Sequence, residues 1–216
     1  MTEGRYRAHG PQAEFEPGSG GRVLSNRLGI KQVREIEQAE TEALLAVQEW
    51  SVGHFSAEHR FTADDIRLLH REWLGEIYPW AGEYRRVNIS KGGFMFAPAG
   101  QVQRLMEEFS RKELATLTPC AGLDEFDLIA ALARTHAELV IIHPFREGNG
   151  RCARLLSWLM ALQAGRPALD FTPLAGRRKT AYFAAVQQAV GGDYAPMEEC
   201  FRRVIRRTFR LYQGRE

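Results

Sequence analysis

The chain has 216 residues, 44% hydrophobic and 26% charged, with a formal net charge of +2. This composition marks a folded domain with room for a sizeable core, and the charge is too small to point to a nucleic-acid partner. Three cysteines, Cys120, Cys152 and Cys200, with no Cys-x-x-Cys pair, exclude a disulfide framework and a structural zinc site. No apolar run approaches membrane-spanning length and no signal-peptide core is seen, so the expectation is a cytoplasmic protein with no membrane partner.

Residues 1–28 read as an N-terminal arm, broken by Pro17-Gly18-Ser19-Gly20-Gly21, with Leu24, Leu28 and Ile30 as anchors onto a body spanning 29–212. Val33, Ile36, Ala39, Leu44, Val47 and Trp50 predict a helix over 31–52. Thr62-Ala63-Asp64-Asp65 is a helix start, a hydroxyl cap followed by acidic groups. Ile66, Leu69, Trp73, Leu74 and Ile77 mark the buried stripe of that helix, and Pro79 ends it. His54 and His70 fall in no ligand pattern and read as surface or core fillers.

Segments 86–89 and 94–96 flank Ser90-Lys91-Gly92-Gly93, the one hairpin-like signal. A lone hairpin must pack on something to be stable, and its open edge can pair with an extended segment of another protein. Lys91 could reach a phosphate or a target, or stand as a solvated turn lysine.

Val102, Leu105, Met106 and Phe109 mark the next helix, and Thr118 to Gly122 breaks it. Asp124 is a cap for a helix whose apolar positions are Phe126, Ile129, Leu132, Leu139 and Val140. Three more helices follow, over 150–164, 178–190 and 196–212. Tyr182 and Phe183 lie near a nucleotide base or in the core. Arg202, Arg203, Arg206, Arg207 and Arg210 on the last helix read as a solvated face, with an anionic partner as the other reading. The fold class is all-α with a short β-hairpin.

The densest chemistry lies at 143–154, His-Pro-Phe-Arg-Glu-Gly-Asn-Gly-Arg-Cys-Ala-Arg. Glycines are useful where backbone turns sharply or approaches a ligand. A helix opening near Gly150 would present free N–H groups and the positive end of its dipole, an anion site. Arg151 and Arg154 share a helix face, and guanidinium forks suit phosphate oxygens. Glu147 beside a polyphosphate could hold Mg2+, which binds through one or two carboxylates plus phosphates. His143 is then left as a general base. Each residue also has a plain reading: a Gly-Asn-Gly turn, a solvated arginine face, a core histidine. A His136–His143–Glu147 metal site is a further alternative, but it leaves the glycines and arginines without a purpose.

Residues 143–154 match the Fic-family signature, His-x-Phe-x-(Asp/Glu)-Gly-Asn-Gly-Arg-x-x-Arg, at every specified position. Trp80-Ala81-Gly82-Glu83-Tyr84-Arg85 and the following Val87 to Gly93 resemble that family's flap region. The resemblance implies a Fic-type helical bundle and a protein adenylyltransferase that moves AMP from Mg-ATP to a Ser, Thr or Tyr hydroxyl of a target protein. It implies His143 as base, Glu147 as the Mg2+ ligand, and Gly148, Asn149 and Gly150 on the α- and β-phosphates. Arg151 and Arg154 would hold the β- and γ-phosphates, with Phe145 as an inward loop anchor. Ser90, Lys91, Gly92, Gly93 and Phe94 would form the target-docking flap. Transfer of UMP, GMP or phosphocholine would leave the motif intact, and a non-catalytic binding module is the remaining alternative.

Fic proteins are commonly silenced by a helix carrying (Ser/Thr)-x-x-x-Glu-(Gly/Asn), whose Glu pairs with the motif's second arginine, here Arg154. In this chain Glu-Gly occurs only at Glu3-Gly4 and Glu147-Gly148, neither with Ser or Thr four residues upstream. The expectation is a small antitoxin-like partner that supplies the glutamate in trans, making this chain the toxin half of a pair.

Overall fold

Helical stretches cut by glycine and proline breaks dominate the chain, and one small antiparallel sheet interrupts them. The structure, a computed structural model, describes residues 7–8 and 14–213. The helices are α1 (Val33–His54), α2 (Ala63–Leu74), α3 (Val102–Phe109), α4 (Glu125–Ile142), α5 (Asn149–Gln163), α6 (Lys179–Ala189) and α7 (Ala195–Gln213). The fold class is therefore all-α with a β flap. Among the described residues, no helix is long and apolar enough to cross a membrane.

Two compact units interleave along the sequence. The first draws on Met1–His54, Ala63–Glu107 and Ile142–Asn149. In it, Ile36 and Val47 of α1 and Ile66, Leu69, Trp73 and Leu74 of α2 are buried. The burial of Glu40 on α1 is offset by a hydrogen bond: the Tyr78 hydroxyl donates to its carboxylate at 2.7 Å, while Trp73 Nε1 donates to its carbonyl oxygen at 2.8 Å. The α2 helix ends at Leu74, before the expected Pro79.

The sheet runs β1 (Arg7–Ala8), β2 (Ile89–Lys91), β3 (Phe94–Met95), antiparallel and in that order. The turn is shorter than the sequence suggests. Gly92 and Gly93 have φ of +56° and +81°, the pair of positive values that a two-residue type I′ turn needs. Ser90 and Lys91 are thereby freed to pair as strand, opposite Met95 and Phe94. The expected open edge of β2 is occupied: Arg7 pairs with Ser90 and Ala8 with Ile89. Beneath the flap, Val87, Ile89 and Phe96 form a buried cluster against which Phe94 packs.

Residues 14–25 of the expected arm form a hydrogen-bonded turn. Glu16 N–H donates to Val23 O at 2.9 Å and Ser25 N–H to Glu14 O at 3.1 Å. Val23, only 2% exposed, is its anchor, whereas Leu28 is 51% exposed. Residues 1–6 and 9–13 of that arm lie outside the described residues.

The second unit draws on Phe55–Thr62, Glu108–Ile141 and Gly150–Glu216. Asp124 caps α4, accepting the Asp127 N–H at 2.9 Å. Leu128, Ile129 and Leu132 are buried, while Phe126, three residues before Ile129 but in the opening turn of the helix, is exposed, contrary to expectation. Gly165, with φ of +68°, closes α5: Gly165 and Arg166 N–H groups donate to Leu162 and Ala161 carbonyls, both at 2.9 Å. On α7, Arg202 and Arg203 pair with Glu199 at 2.8 Å each, and Arg207 pairs with Asp170 at 3.1 Å.

Candidate active site

The site begins where α4 runs out. His143 follows its last residue with φ of +52°, the left-handed region that a residue bearing a Cβ seldom adopts. Two groups hold it there. The Phe96 ring stacks on the imidazole at 3.6 Å between centroids. Arg85 grips the backbone: its Nε donates to His143 O at 2.7 Å, and its own amide donates to Pro144 O at 2.8 Å. The same guanidinium donates to Val87 O at 2.8 Å, to Ile142 O at 3.3 Å and to Ala97 O. Arg85 is buried, and burial lowers its pKa to about 10.

Phe145 is fully buried and stacks on His70 at 3.8 Å between centroids. The tautomer of His70 follows from its partners. Gly82 N–H donates to Nδ1 at 2.9 Å, so the proton sits on Nε2, which donates to Glu147 O at 3.1 Å. The Asn149 side chain closes the loop on the other side, accepting from Phe145 N–H at 2.7 Å and donating to Phe145 O at 2.8 Å. With both ends of its amide so engaged, what Asn149 offers an anion is its backbone N–H at the start of α5. The Glu147 carboxylate accepts from Gly148 N–H at 3.0 Å. Gly148 has φ of +83°, and a Cβ there would lie 2.7 Å from the Trp73 ring.

The flap residues occupy three environments. Ser90 and Lys91 are half-buried in β2, Gly92 and Gly93 are exposed at the turn, and Phe94 is packed inward. The first unit thus brings together His143, Phe145, Glu147, Gly148, Asn149 and the flap.

Gly150, Arg151 and Arg154 belong to the second unit, half-buried on the opening turns of α5. Arg154 Nη1 lies 3.8 Å from the point a Cβ on Gly150 would take. Behind this turn is His136. Its Nε2 is 2.9 Å from the Tyr182 hydroxyl and its Nδ1 is 3.2 Å from Ser157 Oγ. Ser157 donates its own proton to Ala153 O at 2.8 Å, so Nδ1 carries the imidazole proton and Tyr182 donates to Nε2. Burial, and then the charge of Arg154, lower the His136 pKa to about 3, and burial raises that of Tyr182 to about 12. Both ring nitrogens of His136 are thus engaged, and Tyr182 is a core residue. No group of three His, Cys, Asp or Glu that could hold a metal occurs among the described residues.

His70, Trp73, Arg85 and Phe96 shape the loop, and nothing in the sequence singles them out for that role. One signal is available for His70: it falls in the buried phase of α2, between Leu69 and Trp73.

The family model described as Fic/DOC matches residues 60–161, the stretch that carries this loop. The chain belongs to the Fic/DOC family. Its Fic domain is 33% identical over 143 residues to the protein adenylyltransferase VbhT of Bartonella schoenbuchensis, covering 66% of this chain and 30% of that protein. A probable protein adenylyltransferase Fic of Escherichia coli is 27% identical over 188 residues, 85% of this chain and 88% of the relative. The chain spans less than a third of the length of VbhT. The crystal structure of BepC from Bartonella tribocorum, with bound AMPPNP, superposes with a TM-score of 0.72 at 23% identity, covering 91% of this chain and 97% of that one. That likeness establishes the Fic fold.

Proposed function

We propose that this Fic domain transfers AMP from Mg-ATP to a Ser, Thr or Tyr hydroxyl of a target protein. The carrying observation is the His143–Asn149 loop, complete in its signature and fixed on every side by buried contacts. The adenylyltransferase names of VbhT and the Escherichia coli relative, and the AMPPNP bound to BepC, support the reading.

In this reading His143 takes the proton of the target hydroxyl as its oxygen bonds to the α-phosphorus. The bond from that phosphorus to the β-phosphate oxygen breaks, and pyrophosphate leaves. The backbone at Gly148 to Gly150 holds the α- and β-phosphates, and Arg151 and Arg154 hold the β- and γ-phosphates. Such chemistry rests on positioning and charge neutralisation more than on covalent catalysis. Glu147 fits a cation that arrives with the nucleotide: it is a single, largely buried carboxylate, and no three-ligand protein cluster exists among the described residues to bind a metal alone. When bound, Mg2+ would neutralise phosphate charge. The target docks on the flap, where Lys91 reaches target or phosphate.

Control by a small antitoxin-like protein completes the proposal. It brings a glutamate to Arg154 and blocks the γ-phosphate position, which makes this chain a toxin. Co-purification with such a partner supports this; undiminished growth of cells expressing the chain alone overturns it.

The deciding experiment is intact mass after incubation with Mg-ATP and cell lysate, for the parent and His143→Ala. The expected result is AMP added to the chain or to a lysate protein by the parent only. AMP transfer by both proteins overturns His143 as base. Transfer of a different nucleotide in a parallel incubation, with none from ATP, overturns the donor.

A further inference from the structure

We infer that Arg85 is a positioning residue that locks the flap to the backbone of the proposed base, so that loop and flap take their working geometry together. The inference rests on the preceding reading of His143. Its basis is the set of acceptors that Arg85 meets. All are main-chain carbonyls, and they come from two places. His143 and Ile142 belong to the turn that presents the imidazole, and Val87 and Ala97 flank the flap strands. The Arg85 amide adds Pro144 O to the first set.

A buried guanidinium is ordinarily paired with a carboxylate, because an unpaired charge is costly to desolvate. Among the described residues Arg85 has no such partner, and burial is the one influence on its titration. Carbonyl dipoles alone solvate it. That arrangement needs the planar fork of arginine, whose donors point in fixed, divergent directions. A lysine would keep the charge but place every donor on one nitrogen, within reach of only some of these oxygens.

The second element is strain. His143 sits at φ of +52°, a conformation that persists only when its surroundings enforce it. The Arg85 hydrogen bond to His143 O acts on the peptide that sets this turn. Phe96, next to Ala97, stacks on the same imidazole. Backbone and ring of His143 are therefore both held from the flap side, and losing Arg85 releases the two together.

Arg85→Lys and Arg85→Gln test this, with thermal melting to confirm that each folds; if Arg85→Gln does not, Arg85→Lys decides. Amide hydrogen exchange should speed up in Arg85→Lys at residues 87–91 and at Ile142, His143 and Phe145 in concert, with α7 unchanged. The His143 imidazole resonances and their pH titration should shift. Turnover of Mg-ATP to AMP, free or protein-bound, should show a kcat lower by about tenfold or more with KM for ATP within about twofold, because the nucleotide contacts lie elsewhere. A merely stabilising Arg85 would lower the melting temperature and leave imidazole, pH profile and kcat alone. That result, or faster exchange in the flap with the Ile142, His143 and Phe145 amides unmoved, overturns the proposal. If the parent makes no AMP under any condition, the adenylyl-transfer reading fails instead, and exchange and imidazole resonances still decide the role of Arg85.

Discussion

Asn149 closes on Phe145 with two hydrogen bonds of opposite sense, 2.7 Å and 2.8 Å long, its side-chain amide pairing with both backbone groups of the one residue. The pairing fixes a five-residue loop at its neck. Asn149→Ala would leave a buried donor and acceptor on Phe145 unmet, at a cost of about 3 kcal/mol. Asn149→Asp keeps the acceptor and loses the donor, so it should fall between parent and alanine. Urea unfolding of the three proteins checks this order.

Gly148 and Gly92 both have positive φ, but their surroundings differ. A methyl on Gly148 would meet Trp73 at 2.7 Å, whereas nothing lies within 4 Å of one on Gly92. Gly92→Ala should cost only backbone strain, about 1 kcal/mol. Gly148→Ala adds a clash with a fully buried indole and should cost roughly 2–5 kcal/mol, with loss of nucleotide binding. Equal melting temperatures for the two variants would refute the comparison.

His70 is placed to hold two distant loops together. His70→Phe preserves the stacking on Phe145 but strands Gly82 N–H and Glu147 O. The expected loss is about 2 kcal/mol, and the Gly82 and Gly148 amides should exchange faster. A variant as stable as the parent would show that water replaces both bonds.

His136 makes stability depend on pH. Its folded pKa of about 3 lies below the unfolded value of 6.5, so the unfolded chain takes up a proton that the folded one refuses. The stabilisation is fully present above pH 6.5 and is lost as pH falls toward 3, at about 1.4 kcal/mol for each pH step crossed in that window. His136→Gln should flatten this part of the stability profile. Arg154→Ala should raise the His136 pKa, because the arginine charge is the second cause of its depression. Stability measured from pH 7 downward and histidine NMR titration check both.

What the sequence discloses follows from how far apart the interacting residues are. Residues 143–154 are contiguous, so their chemistry reads as a unit, and the caps at Asp124 and Gly165 are local signals that the structure bears out. Arg85 meets His143 across 58 positions and His70 meets Glu147 across 77. No local pattern encodes such pairs, although the buried phase of His70 on α2 hints at a core role. The flap turn reads too long because four residues, Ser90 to Gly93, all suit a loop. Only the paired positive φ values of the two glycines show that Ser90 and Lys91 are strand. Phe126 looks like core by its side chain and by its helical phase, three residues before Ile129, but it lies in the opening turn of α4 and is exposed.

The strand Arg7–Ala8 alters what the flap can do for a visitor. Any extended peptide seeking that edge of β2 meets a strand of the same molecule already paired there, and an intramolecular rival competes without being diluted by the solution. A segment that binds more weakly than that strand is outcompeted without any inhibitor being added. The outer edge of β3, where Met95 is 66% exposed, pairs with no other strand among the described residues. A peptide pairing with β2 would have to displace that strand, whereas one pairing along β3 would not.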